Sequence, residues 1–93
     1  MQAQSSGING ANNIMSSQAK GRAQAGMIDT AVIARVEGGY VIKFEGDNSD
    51  WKGESLILSS ARDPYVPRLF KSIDGAVSEA ERIGVKGIAL DLT

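Results

Sequence analysis

Arg62, Arg68 and Lys71 are interleaved with Tyr65, and the only tryptophan, Trp51, stands in a polar loop shortly before them. Cations of this kind neutralise phosphates, and aromatic rings stack on bases at about 1–3 kcal/mol per base in single-strand sites. Lys20 and Arg22 add two charges nearer the N-terminus. Together, Lys20, Arg22, Trp51, Arg62, Tyr65, Arg68 and Lys71 are the candidate nucleic-acid contacts. A competing reading makes 61–67 a prolyl loop with solvated charges, Tyr65 and Phe70 lying partly buried on a sheet. Trp51 then caps the open end of a small core.

Other chemistry is harder to build. The chain has no cysteine and no histidine, so disulfides, thiolate metal sites and the commonest general base are all missing. Neither a Ser-His-Asp nor a Cys-His arrangement can be assembled. Ser59-Ser60 therefore reads as a strand end. Asp47, Asp50 and Glu54 resemble a hard-cation loop, but counting from Asp47 puts Ser49, Trp51 and Leu58 at positions 3, 5 and 12. An EF-hand calcium loop needs acidic or amide ligands at positions 1, 3 and 5 and a bidentate Glu at 12. Gly38-Gly39 precedes a strand and not a helix, which removes a phosphate cradle. Glu79, Glu81 and Arg82 read as the wet side of a helix. No catalytic residue, cofactor or metal is expected.

Size and charge set the frame. Ninety-three residues with a net charge of −1 and a pI of about 5.3 make one domain without the basic excess of a typical DNA binder. No apolar run reaches the roughly 18 residues of a membrane span, and no leader pattern opens the chain. A cytoplasmic protein is expected.

Residues 1–27 are rich in Gln, Asn, Ser, Gly and Ala, with isolated apolar positions. Such a composition cannot offset its ordering entropy by burial, so a disordered tail is expected. Within it, Ser16–Gln24 tolerates a transient helical turn. Residues 28–93 carry the domain. Thr30–Glu37 and Tyr40–Glu45 are β-branched and aromatic strands. Gly38-Gly39 between them suits a two-residue turn needing positive φ twice, setting Glu37 opposite Tyr40 and Val36 opposite Val41. One face of the hairpin then carries Ile33, Tyr40, Ile42 and Phe44, the other Val32, Ala34, Val36 and Val41. A third strand covers Glu54–Ser60.

Ser72 is placed to cap a helix whose stripe is Ile73, Ala76, Val77, Ala80 and Ile83, closed by Gly84. Gly87–Leu92 forms a last strand. The expected fold is α+β, in the order β-β-β-α-β: a small antiparallel-rich sheet of three to four strands under one covering helix.

The run Gly39-Tyr40-Val41-Ile42-Lys43-Phe44-Glu45-Gly46-Asp47, followed by Ser72-Ile73-Asp74-Gly75-Ala76-Val77, resembles the HicB-type antitoxin pattern of a hairpin ahead of a helix start. Small partition-associated plasmid proteins share that outline. The resemblance implies a small regulator that dimerises and binds a protein partner.

One helix covers one sheet face, and the other face must find a partner. The leading expectation is a non-catalytic interaction module, a homodimer joined by a strand edge or by the Val32, Ala34, Val36 and Val41 face. The second is a nucleic-acid-binding accessory protein using the sheet or the 62–71 loop. An enzyme comes third.

Overall fold

The computed structural model describes residues 13–46, 50–51, 54–63 and 66–92. Eight elements follow in chain order: β1 (Asn13–Ile14), α1 (Ser16–Gln24), β2 (Thr30–Val36), β3 (Gly39–Glu45), β4 (Asp50–Trp51), β5 (Glu54–Leu58), α2 (Ile73–Ile83) and β6 (Gly87–Asp91). The main sheet runs β1-β5-β3-β2-β6, and β4 folds back on β5. The class is α+β, as expected.

Alternation along the strands explains the sheet. Ile33 pairs with Ile42, Ala31 with Phe44, Phe44 with Leu56, and Ile14 with Leu58. Partners across a ladder share a face, so all these side chains form one layer, and each is fully buried. Fully burying each large apolar side chain is worth about 1.5–3 kcal/mol. The helices close over this layer with small residues, Ala19 from α1 and Ala76 and Ala80 from α2, joined by Ile83 and by Ile28 from the α1–β2 connection.

The second helix forms as its sequence dictates. Ser72 Oγ accepts from the Gly75 N–H at 3.1 Å, Asp74 occupies the first turn, and Gly84 closes the helix in the left-handed region at φ 97°. Of the expected stripe, Ala76, Ala80 and Ile83 are buried, while Ile73 and Val77 are half-buried.

Three expectations need correction. The tail reading fails from Asn13 onward: β1 and α1 are folded, and Ile14 and Ala19 are fully buried. Residues 1–12 lie outside the described part. Composition misled because α1 contributes one alanine and not an apolar stripe to the core. It also ends properly: Gly26 takes φ 78°, and the Met27 N–H reaches back to the Arg22 carbonyl at 2.9 Å, a Schellman closure.

Secondly, two helices, not one, cover the sheet. The sheet has more than the expected three to four strands and is mixed, since β1–β5 and β2–β6 are parallel and the other three pairings antiparallel. The pairings make β1 and β2 point the same way, and likewise β5 and β6. Parallel strands cannot be joined by a tight turn, so a helix crosses over between each pair.

Thirdly, the hairpin register differs by two. Val36 pairs with Gly39 and Arg35 with Tyr40, leaving Glu37-Gly38 as the connection. A shift of two keeps every side chain on its expected face. Gly38 does take a positive φ of 92°, but the second glycine serves a different end. The Tyr40 N–H donates to the Phe70 carbonyl at 2.9 Å, and the Phe70 N–H donates back at 2.8 Å. This brings the Phe70 backbone onto Gly39, where a Cβ would collide with its carbonyl oxygen.

Two substitutions test this account. Ile14→Ala should cost roughly 2–5 kcal/mol in urea unfolding, the range for emptying a core position; a cost near zero would return Ile14 to the tail. Gly39→Ala should lower the thermal midpoint more than Gly38→Ala, because only the former meets backbone as well as an unfavourable φ.

Candidate functional site

The Val66–Phe70 segment places the polar groups that matter. β3 and β5 pair over Lys43–Ile57 and Phe44–Leu56. Past that point Ser59 bridges Pro67 and Tyr40 bridges Phe70. The Arg68 N–H donates to the Leu58 carbonyl at 2.9 Å. Since Arg68 stands opposite Leu58, its side chain emerges on the helix-covered face. Its guanidinium lies 4.7 Å from the centre of the Phe70 ring, a cation–π contact worth about 0.5–1 kcal/mol at an exposed site.

Arg68 reaches Glu79 of α2. Its Nη1 is 3.8 Å from Glu79 Oε2, and Arg82 Nη1 is 3.1 Å from Oε1. Glu79 is therefore not on the wet side of the helix; its side chain is 8% exposed, against 43% for Arg68 and 79% for Arg82. Glu81 and Arg82 are exposed as expected. The helical period failed at Glu79 because α1, absent from the expected fold, lies over that flank of α2. A carboxylate taken out of water needs compensating charge, and two guanidinia provide it.

The N-terminus of α1 sits above this pair. Its N-cap is Met15, which offers no side-chain cap, and no acidic residue stands in the first turn. A cavity of about 220 Å³ is lined by Ser16, Ser17, Lys20, Glu79, Arg82 and Ile83. Another of about 100 Å³ is lined by Met15, Ser16, Ser59, Ser60, Ala61 and Arg68. Ser16 belongs to both. Ser59 is 4% exposed, and its Oγ and Gln18 Oε1 are buried polar atoms without a hydrogen-bond partner.

The candidate nucleic-acid contacts are thus only partly gathered. Lys20 and Arg68 come to the two ends of this double cavity. Arg22 is half-buried on the last turn of α1, while Arg62 and Lys71 are exposed on loops and line neither cavity. Trp51 is a β4 residue paired with Glu54, and Tyr65 lies outside the described residues, as does Asp47. Arg82, Glu79 and Ser16 were missed by sequence reasoning, although an uncapped polar helix start after an apolar dipeptide was a usable signal.

The apolar face also needs correction. Ala34 and Val41 are buried, Val32 is half-buried, and Val36 alone is exposed, at 37%. Val36, Val32 and Lys43 flank this small central pair on the same face, so of the four apolar residues Val36 leaves the most surface open. The other open apolar positions are Ile88 at 38% and Leu90 at 53% on β6, with Leu69 at 54%, Val66 at 47% and Met15 at 38%.

Among the described residues, no group of three acidic side chains is placed to hold a metal ion, and no helix is long and apolar enough to cross a membrane. No protein-family model, curated protein or solved structure matches the chain.

The Glu79 arrangement makes a non-additive prediction. Arg82→Met alone should cost under about 1 kcal/mol, because Arg68 still faces the carboxylate. Arg68→Met together with Arg82→Met should cost roughly 3 kcal/mol, more than the two single losses combined, since a buried charge is then unpaired. Additive losses in urea titrations would dissolve the cluster.

Proposed function

We propose that the chain is a non-catalytic interaction module that pairs with a second copy of itself along the outer edge of β6. The observation that carries this is the edge itself. Strand β6 pairs with β2 on one side and stands last in the strand order of the sheet. Gly87-Ile88-Ala89-Leu90 contains no charge and no proline, and the one charged residue of the strand, Asp91, stands at its end. Proteins that stay monomeric blunt such an edge with lysine, proline or a bulge, because its unpaired N–H and C=O groups are a template for another strand.

The side chains fit a symmetric partner. Ile88 and Leu90 share the helix-covered face with Ala31 and Ile33, their partners in β2, yet lie beyond the reach of α2 and stay exposed. An antiparallel β6–β6 pair about a two-fold axis perpendicular to the sheet sets these residues beside the same residues of the second copy. The two sheets then become one, with all four helices on one side. The hairpin and helix start that resemble HicB-type antitoxins carry the same expectation of a small self-associating regulator with a protein partner. Edge pairing is favoured over the Val32, Ala34, Val36 and Val41 face because that face has little left to bury.

Sedimentation velocity at micromolar concentration should show a dimer for the native chain and a monomer for Leu90→Lys. The variant's own unfolding free energy should stay within about 0.5 kcal/mol of a monomeric reference, as for surface changes generally. A native chain that sediments as a monomer throughout removes this reading.

A further inference from the structure

We infer that the smaller cavity beneath the start of α1 is a binding site for a phosphate-class oxyanion. Ser16 lines this cavity, and its amide, like those of Ser17 and Gln18 behind it, precedes the first intrahelical bond, in which the Ala19 N–H reaches the Met15 carbonyl at 2.9 Å. No side-chain cap and no first-turn acid satisfies them. Free amides at the positive end of a helix form an anion-binding arrangement. The helix end is not the only sign.

Ser59, which lines the same cavity, is 4% exposed and its hydroxyl has no partner. Leaving a buried hydroxyl unsatisfied is unfavourable, and an oxyanion seated here would accept from it. Ser60 adds a second hydroxyl to the wall, although its Oγ already accepts from the Arg62 N–H at 3.2 Å. Arg68 supplies the charge. A guanidinium has five N–H donors, and its long contact with Glu79 occupies few of them. The lining of this cavity contains no carboxylate; Glu79 lines the neighbouring one, where it is matched by Arg82 and Lys20. A volume of about 100 Å³ leaves room for a tetrahedral anion. The phosphate of a free monoester and the backbone of a nucleic acid both present this group.

The test is a proton–nitrogen correlation spectrum of the full chain titrated with inorganic phosphate, chloride being adjusted to hold ionic strength constant. The amide of Ser16, which lines this cavity, should shift and saturate, with smaller shifts following at its neighbours Ser17 and Gln18. Ser59→Ala should weaken that binding about tenfold or more, as expected for losing a hydrogen bond to a charged group. Its thermal midpoint should stay level or rise, because an unsatisfied hydroxyl has gone. A parallel titration with a short single-stranded oligonucleotide identifies the source. Saturation of the same amides at lower phosphate-group concentration assigns the site to a phosphodiester chain, and saturation by inorganic phosphate alone assigns it to a free or terminal phosphate. Absence of a saturable shift with either probe overturns the inference, as does a Ser59→Ala chain that binds like the native one.

Discussion

A single apolar layer, pressed between one face of the sheet and two short helices, is the constraint from which the rest of the molecule follows. The layer is thin because its helix side is made of alanines: Ala19, Ala76 and Ala80 bring backbone close to Ile33, Ile42 and Phe44. Small residues allow close approach but bury little area each, so the large strand residues provide most of the hydrophobic stabilisation. The helices are therefore held mainly by what they cover. This makes α1, polar along most of its length, a stable part of the fold without an apolar stripe of its own.

Legibility in the sequence tracks that asymmetry. Strands β2, β3, β5 and β6 and helix α2 were readable because each carries its own period, 2 or 3.6, and its own punctuation at Ser72 and Gly84. Strand β1 has two residues and α1 one buried side chain, so neither leaves a periodic trace. Their order comes from tertiary contact: Ile14 sits against Leu58, and the Ser59 N–H donates to the Ile14 carbonyl at 2.9 Å. Gly26 was a second local signal beside the polar helix start after Ile14-Met15, and it closes a helix that composition alone had assigned to a tail.

The same hidden helix accounts for what was misread in the site. Without α1 over its flank, Glu79 belongs on the solvent side of α2 and Arg68 in a solvated loop. With α1 in place, the carboxylate is covered and draws Arg68 and Arg82 together from opposite directions. Lys20, identified for its charge alone, arrives at this cluster because α1 carries it there. Arg62 and Lys71 were selected on the same ground but sit on segments that turn away. Charge in a sequence names residues; only the covering element decides which of them meet.

Gly38-Gly39 shows how one motif can be placed correctly for the wrong reason. A two-residue turn with two positive φ angles predicts the hairpin and its faces, and both are found. Yet the connection moves back by one residue, and the register by two, because Phe70 hydrogen-bonds Tyr40 on both sides and needs bare backbone at Gly39. That long-range pair fixes the end of the Val66–Phe70 segment, and with it the approach of Arg68 to Glu79 and of Pro67 to Ser59. The glycine that looked like turn chemistry thus positions the polar cluster across the sheet. The hairpin's β2 edge is taken by β6, which stands last in the strand order of the sheet.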